Sequence, residues 1–474
     1  MKYKPFPLLL AALMLTTSCG GTSNPTNTPV DTTTAEPEVT YEFTSNYGGY
    51  EFRILNADDI WSMHASITRE QQTGEVLDDA MYRRCTTLED KLNITLNETR
   101  LGIGDDVANE ARTVILAGDD AYDIMYISAP NMQEFSTQGY VHNLLDFEEL
   151  QLDQPWWMES YNNANTSGGA LYSAASYSQL MILDSIWCLY VNESMLEDLK
   201  LDAPYELVRS GKWTLDEFSK YIKAAANLNG DDSYDWNTDG NAVYGASGGT
   251  FDKFYKGCGE LLVENVEGKL TLTAGSERFY NVFDKLVSTI NQHDGTSTVG
   301  IGGNDGDPGN YIGIFMDERS LFLLAEVCKT NLMRNEEYSF GIVPYPKYDE
   351  LQERYYSTAF SHTPSLTIPV TVADPVRSAV VSDALAYLSW DIVLPVFRNV
   401  TLEQKNLRNE ESIEMLDIIF DSVVPDVGTT VPAVNSMTSE LTTMVYISET
   451  NTASILATYK EQIETELAEM NEQR

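Results

Sequence analysis

Hydrophobic positions in the first part of the chain after residue 50 alternate with polar ones in some segments and recur at helical spacing in others. In the first predicted helix, Met81, Cys85 and Leu88 share one face. The last predicted strand of this block reads as a buried strand of the parallel type. The succession is strand, helix, strand, helix, strand, at residues 50–55, 76–92, 93–96, 105–117 and 122–128. This order predicts an open α/β sheet, in which a ligand lies beyond the carboxyl ends of the strands.

A second block of similar character follows. Apolar runs predict strands at 181–183 and 187–191. Thr214 and Glu217 form a capping box that predicts the start of a helix, and Ser276 caps another helix. The C-terminal portion has a mostly helical pattern. Because the chain is too long for one compact core, the sequence predicts an α/β protein with two lobes.

The first residues have the layout of an export signal. Two lysines precede an apolar run at 6–15 that is too short to span a bilayer. Small residues then lead up to Cys19, which resembles the lipobox of bacterial lipoproteins, except that Thr16 stands where a Leu-like residue is usual. We expect a lipoprotein signal peptide at 1–18 and a flexible tether at 19–46, with the lipid on Cys19; an ordinary secretory signal is the alternative.

The acidic composition excludes two classes of partner. The formal net charge is −42, from 30 Lys and Arg against 72 Asp and Glu. Such a surface repels phosphate backbones and anionic headgroups, so we expect neither nucleic acid binding nor membrane attachment by charge. The charge favours a neutral or cationic ligand over a highly anionic one. After the leader, no segment is predicted to cross a membrane.

Four further cysteines lack the spacing of a metal site. They are Cys85, Cys188, Cys258 and Cys328. Apolar neighbours favour small core residues for most of them, whereas export would permit two disulfides. We expect core thiols, with disulfides as the alternative.

Six short motifs occur in order along the chain, at residues 78–84, 92–95, 117–124, 189–194, 211–218 and 340–347. Together with the leader they resemble the extracellular solute-binding proteins of ABC importers, in the family 1-like subgroup that binds sugars and oligosaccharides. The resemblance implies a two-lobed periplasmic-binding-protein-like fold of type II, in which each lobe is an open sheet flanked by helices, with a helical C-terminal portion. The implied first lobe comprises 47–172 and 341–372, and the second comprises 173–340 and 373–474.

The resemblance also implies function. The implied protein is a monomer that is not an enzyme. It captures a solute, with a sugar or oligosaccharide as the leading class, between lobes joined near 172–176, 341–346 and 369–375, and it delivers this solute to ABC transporter permease subunits. The implied location is the extracytoplasmic face of the cell membrane. The alternatives are a surface glycan-binding lipoprotein without a transporter and, less favoured, a glycan-active hydrolase.

Positions that match those of ligand contacts in the family follow the first and third strands and the crossing segments. Sugars are bound by aromatic faces and by carboxylate, amide and hydroxyl groups, and residues of these types occur at these positions. For the tryptophans, packing is the alternative role. The candidates are Asn56, Asp58, Trp61, Ser128, Asn131, Asp184, Ser185, Trp187, Glu326, Phe360, Ser361 and His362.

Two further motifs are less specific. Residues 235–241 match the first half of an EF-hand loop, but Ala246 stands where the bidentate Glu is usual. The sequence therefore leaves two alternatives for this loop, a structural calcium ion or a solvated turn, and no other cofactor is expected. Residues 245–249 fit GxSxG, the nucleophile-elbow pattern, although a loop is the favoured interpretation. The calcium ligands would be Asp235, Asn237, Asp239 and Asn241.

Overall fold

The fold is described from a computed structural model of the chain. All of its helices and strands lie in the compact unit Phe43–Arg474. The structure describes residues 40–58, 64–102, 104–234, 240–248, 252–290, 294–297, 311–333, 338–359, 362–399 and 410–472. The strands are β1 Tyr50–Ala57, β2 Ile94–Leu101, β3 Ile124–Ser128, β4 Trp187–Asn192, β5 Tyr244–Gly248, β6 Val263–Val266, β7 Lys269–Leu272, β8 Ser320–Glu326, β9 Phe340–Val343 and β10 Pro364–Thr367. The helices are α1 Val76–Leu92, α2 Gly104–Ala117, α3 Met132–Thr137, α4 Glu159–Asn165, α5 Met181–Asp184, α6 Glu193–Leu199, α7 Tyr205–Arg209, α8 Leu215–Ala225, α9 Asp252–Gly257, α10 Glu277–Thr289, α11 Tyr311–Met316, α12 Thr330–Met333, α13 Pro375–Leu388, α14 Leu394–Asn399, α15 Glu410–Asp421, α16 Pro432–Tyr446 and α17 Thr452–Asn471.

The first sheet has the strand order β10-β3-β1-β2. β1 is parallel to β2 and β3, whereas β10 pairs antiparallel with β3. Val107 and Ala111 of α2 pack with buried residues of β1 and β3, including Met125. The crossover helices α1 and α2 keep β1, β2 and β3 parallel, so their carboxyl ends meet at one edge.

The second sheet has the order β5-β8-β4-β9. β5 is parallel to β8, and β4 is antiparallel to β8 and β9. Phe218 of α8 packs on Phe322 of β8, with ring centroids 5.3 Å apart. Thr214 caps α8 and Ser276 caps α10, because each side chain accepts a backbone N–H three residues on. Both predicted caps are confirmed, and each stabilises its helix by about 1 kcal/mol.

Three connections link the two sheets within the described elements. The first runs from Ala174, which pairs with Leu366 of β10, to Trp187 at the start of β4. The second runs from the end of β9 to the start of β10. The third lies between α13 and α15. The Ser378 hydroxyl of α13 donates to the carbonyl of Asp123 beside β3 of the first sheet, whereas the Ser412 hydroxyl of α15 accepts from the backbone of β9 in the second sheet.

The strand pairing differs from the predicted lobe boundaries in two places. β9 lies in the second sheet, so the return to the first lobe begins after residue 343 and not at 341. The range 375–399 packs with the first lobe, although residues 373–474 were predicted in the second lobe. Residues 369–375 were predicted to cross between the lobes, but in the structure they do not. The hydrogen bond of α13 to the edge of β3 explains this difference, since a helical pattern alone does not tell which sheet a helix covers.

Two local predictions are wrong. Residues 181–183 form part of helix α5 and not a strand, since a short run that is buried all round has no periodicity that separates the two. The continuous helical stretch Pro375–Asn399 is long and apolar enough to cross a membrane, which the sequence was not expected to contain. Most of its apolar window is buried in the fold, as in a core helix of a soluble protein.

The four described cysteines are buried thiols that form no disulfide, which confirms core thiols over disulfides. Burial raises the pKa of Cys188 and Cys258 well above the usual thiol range. These thiols therefore stay protonated and unreactive in the folded state.

Candidate functional site

Two adjoining cavities lie between elements of the two lobes. We call the first, of about 390 Å³, the aromatic chamber, and the second, of about 540 Å³, the lysine chamber. Asp426 and Thr429 line both, so the chambers meet at these residues. The first lobe contributes Ala129 and Pro130, which directly follow β3. The cavities therefore lie at the carboxyl edge of the first sheet, where open α/β sheets bind ligands.

The aromatic chamber combines ring surfaces with acceptor groups. Asp421 and Glu159 bring carboxylates to its wall, and the Thr363 hydroxyl lies beside them. Burial raises the pKa of Tyr161 and Tyr177, so both phenols stay protonated and can donate hydrogen bonds. The aromatic side chains of the lining are Trp157, Tyr161, Tyr177 and Phe420. Flat apolar faces beside hydroxyl and carboxylate groups suit a ligand that has C–H faces and hydroxyl groups.

The lysine chamber is built mainly by α9 and α16, with Trp187 at the start of β4. The first lobe brings Asp105 from the first turn of α2 and His362 from the segment before β10. Hydroxyl and amide side chains of α16 complete the described wall: Asn435, Thr438, Ser439 and Thr442. Its lining is thus richer in charge than that of the aromatic chamber.

A buried ion network forms the floor of the lysine chamber. Lys253 and Lys256 both contact Oδ2 of Asp252, at 3.0 and 2.6 Å. Lys256 also contacts Oδ2 of Asp426 at 2.5 Å. The side chains of Lys253 and Lys256 are only 3% and 5% exposed, so these contacts replace solvent for both ammonium groups. Two carboxylates thus serve two lysines, but unequally.

The unequal pairing affects the protonation of the network. Burial raises the pKa of Asp252, but the two lysines outweigh it and hold this pKa well below the usual range. Burial lowers the pKa of Lys256, but Asp252 and Asp426 together hold it well above its ordinary value. For Lys253, burial dominates and lowers the pKa, with Asp252 opposing and Lys256 adding to the effect. Lys253 is therefore the less compensated of the two cations.

Trp187 lies against this network. The Lys253 ammonium is 5.4 Å from the centroid of the Trp187 ring, within the range of a cation–π contact. Trp187 is 3% exposed, and its indole Nε1 has no hydrogen-bond partner among the described residues. An unpaired buried donor is unfavourable, which makes it a group that a ligand can satisfy.

The structure places the predicted ligand residues in two groups. Trp187 and His362 line the lysine chamber. Asn131 and Ser128 lie beside it, since the Asn131 amide donates to the Ser128 hydroxyl at 2.9 Å and to Asp105 at 3.3 Å. Trp61, Phe360 and Ser361 lie outside the described residues, as do Asp235, Asn237, Asp239 and Cys19.

The second group has structural partners in the described part of the chain. Asn56 is fully buried, and its amide donates to the carbonyl of Ala65 and to Glu98, both at 2.8 Å. Asp58 pairs with Arg100 at 2.9 Å near the surface. The Asn56 side chain is therefore bonded within the interior, whereas the Asp58 side chain is 59% exposed, and neither lines a chamber among the described residues.

The crossing segment also orients its polar residues inward. Asp184 contacts the Nδ1 of His64 at 2.6 Å, and Ser185 and Thr363 share a hydrogen bond of 3.2 Å. Glu326 ends β8 opposite Trp187, and it is not among the described lining residues of either chamber. Ser185 therefore supports Thr363 of the aromatic chamber, while Asp184 ties the crossing segment to the first lobe.

Several chamber residues were missed by sequence reasoning. Lys253 and Lys256 were passed over because single lysines are common on surfaces. One signal was present: the two lysines flank the adjacent aromatic residues Phe254 and Tyr255, and cations buried beside such residues need partners. For Tyr161, Tyr177, Phe420 and Asp426 no local pattern distinguishes the residues from core or turn positions.

Residues 245–248 of the GxSxG pattern lie on strand β5, and Gly249 lies outside the described residues. Ser247 is fully buried, and its hydroxyl donates to the carbonyl of Tyr311 at 2.8 Å. This arrangement does not expose a nucleophile.

The calcium loop is described only at its end. The Asn241 amide donates to the Asp231 carboxylate at 3.2 Å, and the backbone N–H groups of Asn241 and Ala242 donate to the same carboxylate. Asp231 is thus occupied as a turn-stabilising acceptor, while the Asn241 side-chain oxygen is the group that would suit calcium.

Comparison with known proteins shows a shared fold. No family model and no curated protein matches the sequence. An ABC substrate-binding protein of Listeria monocytogenes, solved in complex with cycloalternan, is 13% identical with a TM-score of 0.57, over 89% of this chain and 99% of that chain. The galacto-N-biose/lacto-N-biose I-binding protein of the Bifidobacterium longum ABC transporter, in complex with lacto-N-biose, is 12% identical with a TM-score of 0.56, over 90% and 99%.

A third structure extends the range of bound molecules. UgpB from Mycobacterium tuberculosis, in complex with glycerophosphocholine, is 14% identical with a TM-score of 0.57, over 89% of this chain and 99% of that chain. Together with the two sheets, their three connections and the cavities between them, these likenesses establish the architecture. The chain has the two-lobed α/β fold of the solute-binding proteins of ABC transporters.

Proposed function

We propose that the chain is the substrate-binding receptor of an ABC importer, and that its solute is a sugar or an oligosaccharide. The observation that carries the proposal is the aromatic chamber between the lobes, where four aromatic side chains lie beside carboxylates and a hydroxyl. Two of the structures that share the fold were solved in complex with cycloalternan and with lacto-N-biose. A saccharide matches this lining because its ring has C–H faces and its rim has hydroxyl groups.

Binding is coupled to closure of the lobes. Ala129 belongs to the first lobe, and Phe420 and Asp426 belong to the second, yet all three line the same chamber. A ligand that contacts both walls binds the closed arrangement more tightly than an open one. This difference in affinity shifts the hinge equilibrium toward the closed form, which a permease can recognise.

We also propose where in the cell the protein is located. The leader at 1–18 exports the chain, a lipid on Cys19 holds it at the extracytoplasmic face of the cell membrane, and the tether at 19–46 lets the cleft reach the permease. The protein acts as a monomer and performs no catalysis, which the buried position of Ser247 supports. A calcium ion in the 235–241 loop has a structural role.

A thermal-shift screen of the purified chain tests the ligand class. A ligand at 100 times its Kd stabilises the folded state by about 2.7 kcal/mol, so a binding sugar raises the Tm. Mono- and oligosaccharides form the panel, with amino acids and peptides as controls. A rise in Tm with peptides alone would refute the carbohydrate class. Repeating the screen with EDTA tests calcium, since removal of a structural ion lowers the Tm in the absence of any sugar.

Mutation of the chamber tests the site. Tyr161→Ala and Tyr177→Ala remove ring faces from the aromatic chamber, and we expect each to raise the Kd of the identified sugar at least tenfold. Tyr280→Ala is the control, because Tyr280 lies on α10 and does not line either chamber among the described residues. Equal affinities of all four proteins would place the binding site elsewhere.

Uptake by cells tests delivery and anchoring. A strain without the receptor gene should lose uptake of the labelled sugar, and a Cys19→Ser variant should restore only a small part of it. Full uptake without the receptor, together with sugar binding in vitro, would favour a surface glycan-binding lipoprotein that works without a transporter.

A further inference from the structure

The lysine chamber contains two buried hydrogen-bond donors whose needs the described protein groups do not fully meet. An ammonium group has three N–H donors. Among the described residues, that of Lys253 has one carboxylate contact, to Asp252, and lies over the Trp187 ring. The Trp187 indole N–H has no acceptor among these residues. Both side chains line the chamber and are 3% exposed.

The partners that the Lys253 ammonium and the Trp187 indole N–H lack are hydrogen-bond acceptors. The charge of the network favours an anionic acceptor over a neutral one. The Asp252 oxygen that Lys253 contacts is shared with Lys256, which lies closer to it, and the direct ion pair of Asp426 is with Lys256. The ammonium group of Lys253 therefore has one direct carboxylate contact where that of Lys256 has two, and its side chain is only 3% exposed. A neutral hydroxyl of a sugar supplies an acceptor but no charge. An anionic oxygen supplies both, and hydrogen bonds between charged groups are about twice as strong as neutral ones.

The titration behaviour agrees with the geometry. Burial lowers the pKa of Lys253, and the charge of Lys256 adds to this effect, whereas Asp252 opposes it. A negative group of a ligand at the ammonium would oppose the same effect, so binding of an anion would raise this pKa again.

The acidity of the whole chain does not prevent such a contact. The net charge of −42 belongs mainly to solvated side chains, and salt screens their field beyond about 10 Å at 0.1 M ionic strength. Asp105 is the carboxylate that the first lobe brings to this chamber, and it accepts a hydrogen bond from Asn131. One carboxylate on an otherwise neutral sugar remains compatible with this balance, whereas a polyanion does not.

We propose that the lysine chamber binds a single anionic group, a carboxylate or a phosphate, on the captured saccharide, with Lys253 and the Trp187 indole as its donors. The inference rests on the proposed carbohydrate function and narrows it to acidic sugars. The neutral part of the saccharide then occupies the aromatic chamber, which meets the lysine chamber at Asp426 and Thr429.

Calorimetric titration of the full chain with matched probes tests the inference. The probes are aldobiouronic acids beside their methyl esters and disaccharide phosphates beside their parent disaccharides. Esterification removes the charge and keeps the ring, so the ratio of the two Kd values reports the anionic contact. We expect at least one acidic probe to bind ten times more tightly than its uncharged partner, and the pair that shows this preference distinguishes carboxylate from phosphate.

Substitution of Lys253 tests whether this residue causes the preference for acidic probes. Lys253→Met should abolish the preference, and Lys253→Arg should restore most of it. Lys347→Met is the matched control, because Lys347 is also buried, donates to a carbonyl at 2.9 Å and lies 5.6 Å from the Tyr355 ring, yet it does not line either chamber among the described residues. This control should keep the preference.

The outcomes separate the inference from the proposed function. If no charged probe binds more tightly than its partner, or if Lys253→Met keeps the preference, the inference is wrong, while binding of neutral sugars would leave the receptor function standing. If no saccharide of either kind binds, both fail. Circular dichroism checks the folding of each variant. If Lys253→Met does not fold, Trp187→Phe is the second variant, because it removes the N–H donor and keeps an aromatic ring. An unchanged preference for acidic probes in that variant would also overturn the inference.

Discussion

Asp383 holds two tryptophans in place from the interior of α13, and its removal should be one of the costlier changes in the first lobe. The residue is fully buried. Its carboxylate accepts from the indole N–H groups of Trp156 and Trp157 at 2.9 and 2.8 Å. It also accepts from the backbone and side-chain amides of Gln151 at 3.1 and 3.0 Å. Trp157 in turn lines the aromatic chamber, so this carboxylate also positions a residue of the proposed site.

The structure allows the size of the effect to be worked out. Hydrogen bonds to a charged group contribute about 1.5–3 kcal/mol each, and orphaned buried donors cost about 1–3 kcal/mol each, but the four bonds are not additive. We expect Asp383→Ala to lower the free energy of unfolding by about 3–5 kcal/mol. Asp383→Asn keeps one oxygen, and both indoles donate to the same oxygen of Asp383, so its loss should be about 1–2 kcal/mol.

Urea unfolding followed by tryptophan fluorescence and by far-ultraviolet circular dichroism measures these values. The two probes must give coincident transitions, because a two-lobed chain need not unfold in one step. Asp391→Asn is the matched control on the same helical stretch, where the side chain is exposed, and it should change stability by less than about 0.5 kcal/mol. A loss below about 1 kcal/mol for Asp383→Ala would refute the argument, since the indoles would then have found other partners.

Three shorter predictions concern other parts of the chain. Burial lowers the pKa of His64, but Asp184 outweighs it and raises this pKa above the ordinary value, so the pair stabilises fully below about pH 6.5 and less as the pH rises through the folded pKa. Urea unfolding between pH 6 and 9 should therefore show a stability loss that His64→Gln lacks; parallel curves would contradict this. Ser247→Ala should lower stability by about 1–3 kcal/mol without changing sugar affinity, and any ester hydrolysis that this variant loses would argue against a structural serine. The four core thiols should react with a thiol reagent only in urea.

The sequence predicted those features that depend on local periodicity. Helix α1 has the predicted bounds, 76–92, because its apolar residues repeat at helical spacing and Asn93 ends it in a left-handed conformation. The caps at Thr214 and Ser276 follow from side chains that bond within their own first turn. Such features need no knowledge of distant partners. Where burial is complete, as at 181–183, the local pattern no longer separates strand from helix.

The site depends on contacts between residues far apart in sequence, which no local pattern contains. Asn56 follows the predicted first strand and has a side chain suited to sugars, but in the structure it lies within β1, and the Ala65 carbonyl and Glu98 accept from its amide in the interior. Conversely, nothing in the sequence near Lys253 indicates that Trp187 lies over its ammonium. The resemblance predicted a ligand cleft between the lobes, and the two chambers lie there, whereas the identity of their lining depends on the positions of α9 and of the segments around α16.

At the border between the two chambers, Asp426 connects the proposed sugar site with the buried ion network. Asp426 lines both chambers and its carboxylate contacts Lys256 at 2.5 Å. In the proposed complex, a sugar hydroxyl that donates to Asp426 would draw part of this carboxylate away from Lys256, which would then depend more on Asp252. Since Lys253 contacts the same oxygen of Asp252, less of that carboxylate would remain for its ammonium group. We therefore expect the neutral part of the ligand to strengthen the hold of the lysine chamber on the anionic part, so that the two chambers discriminate together.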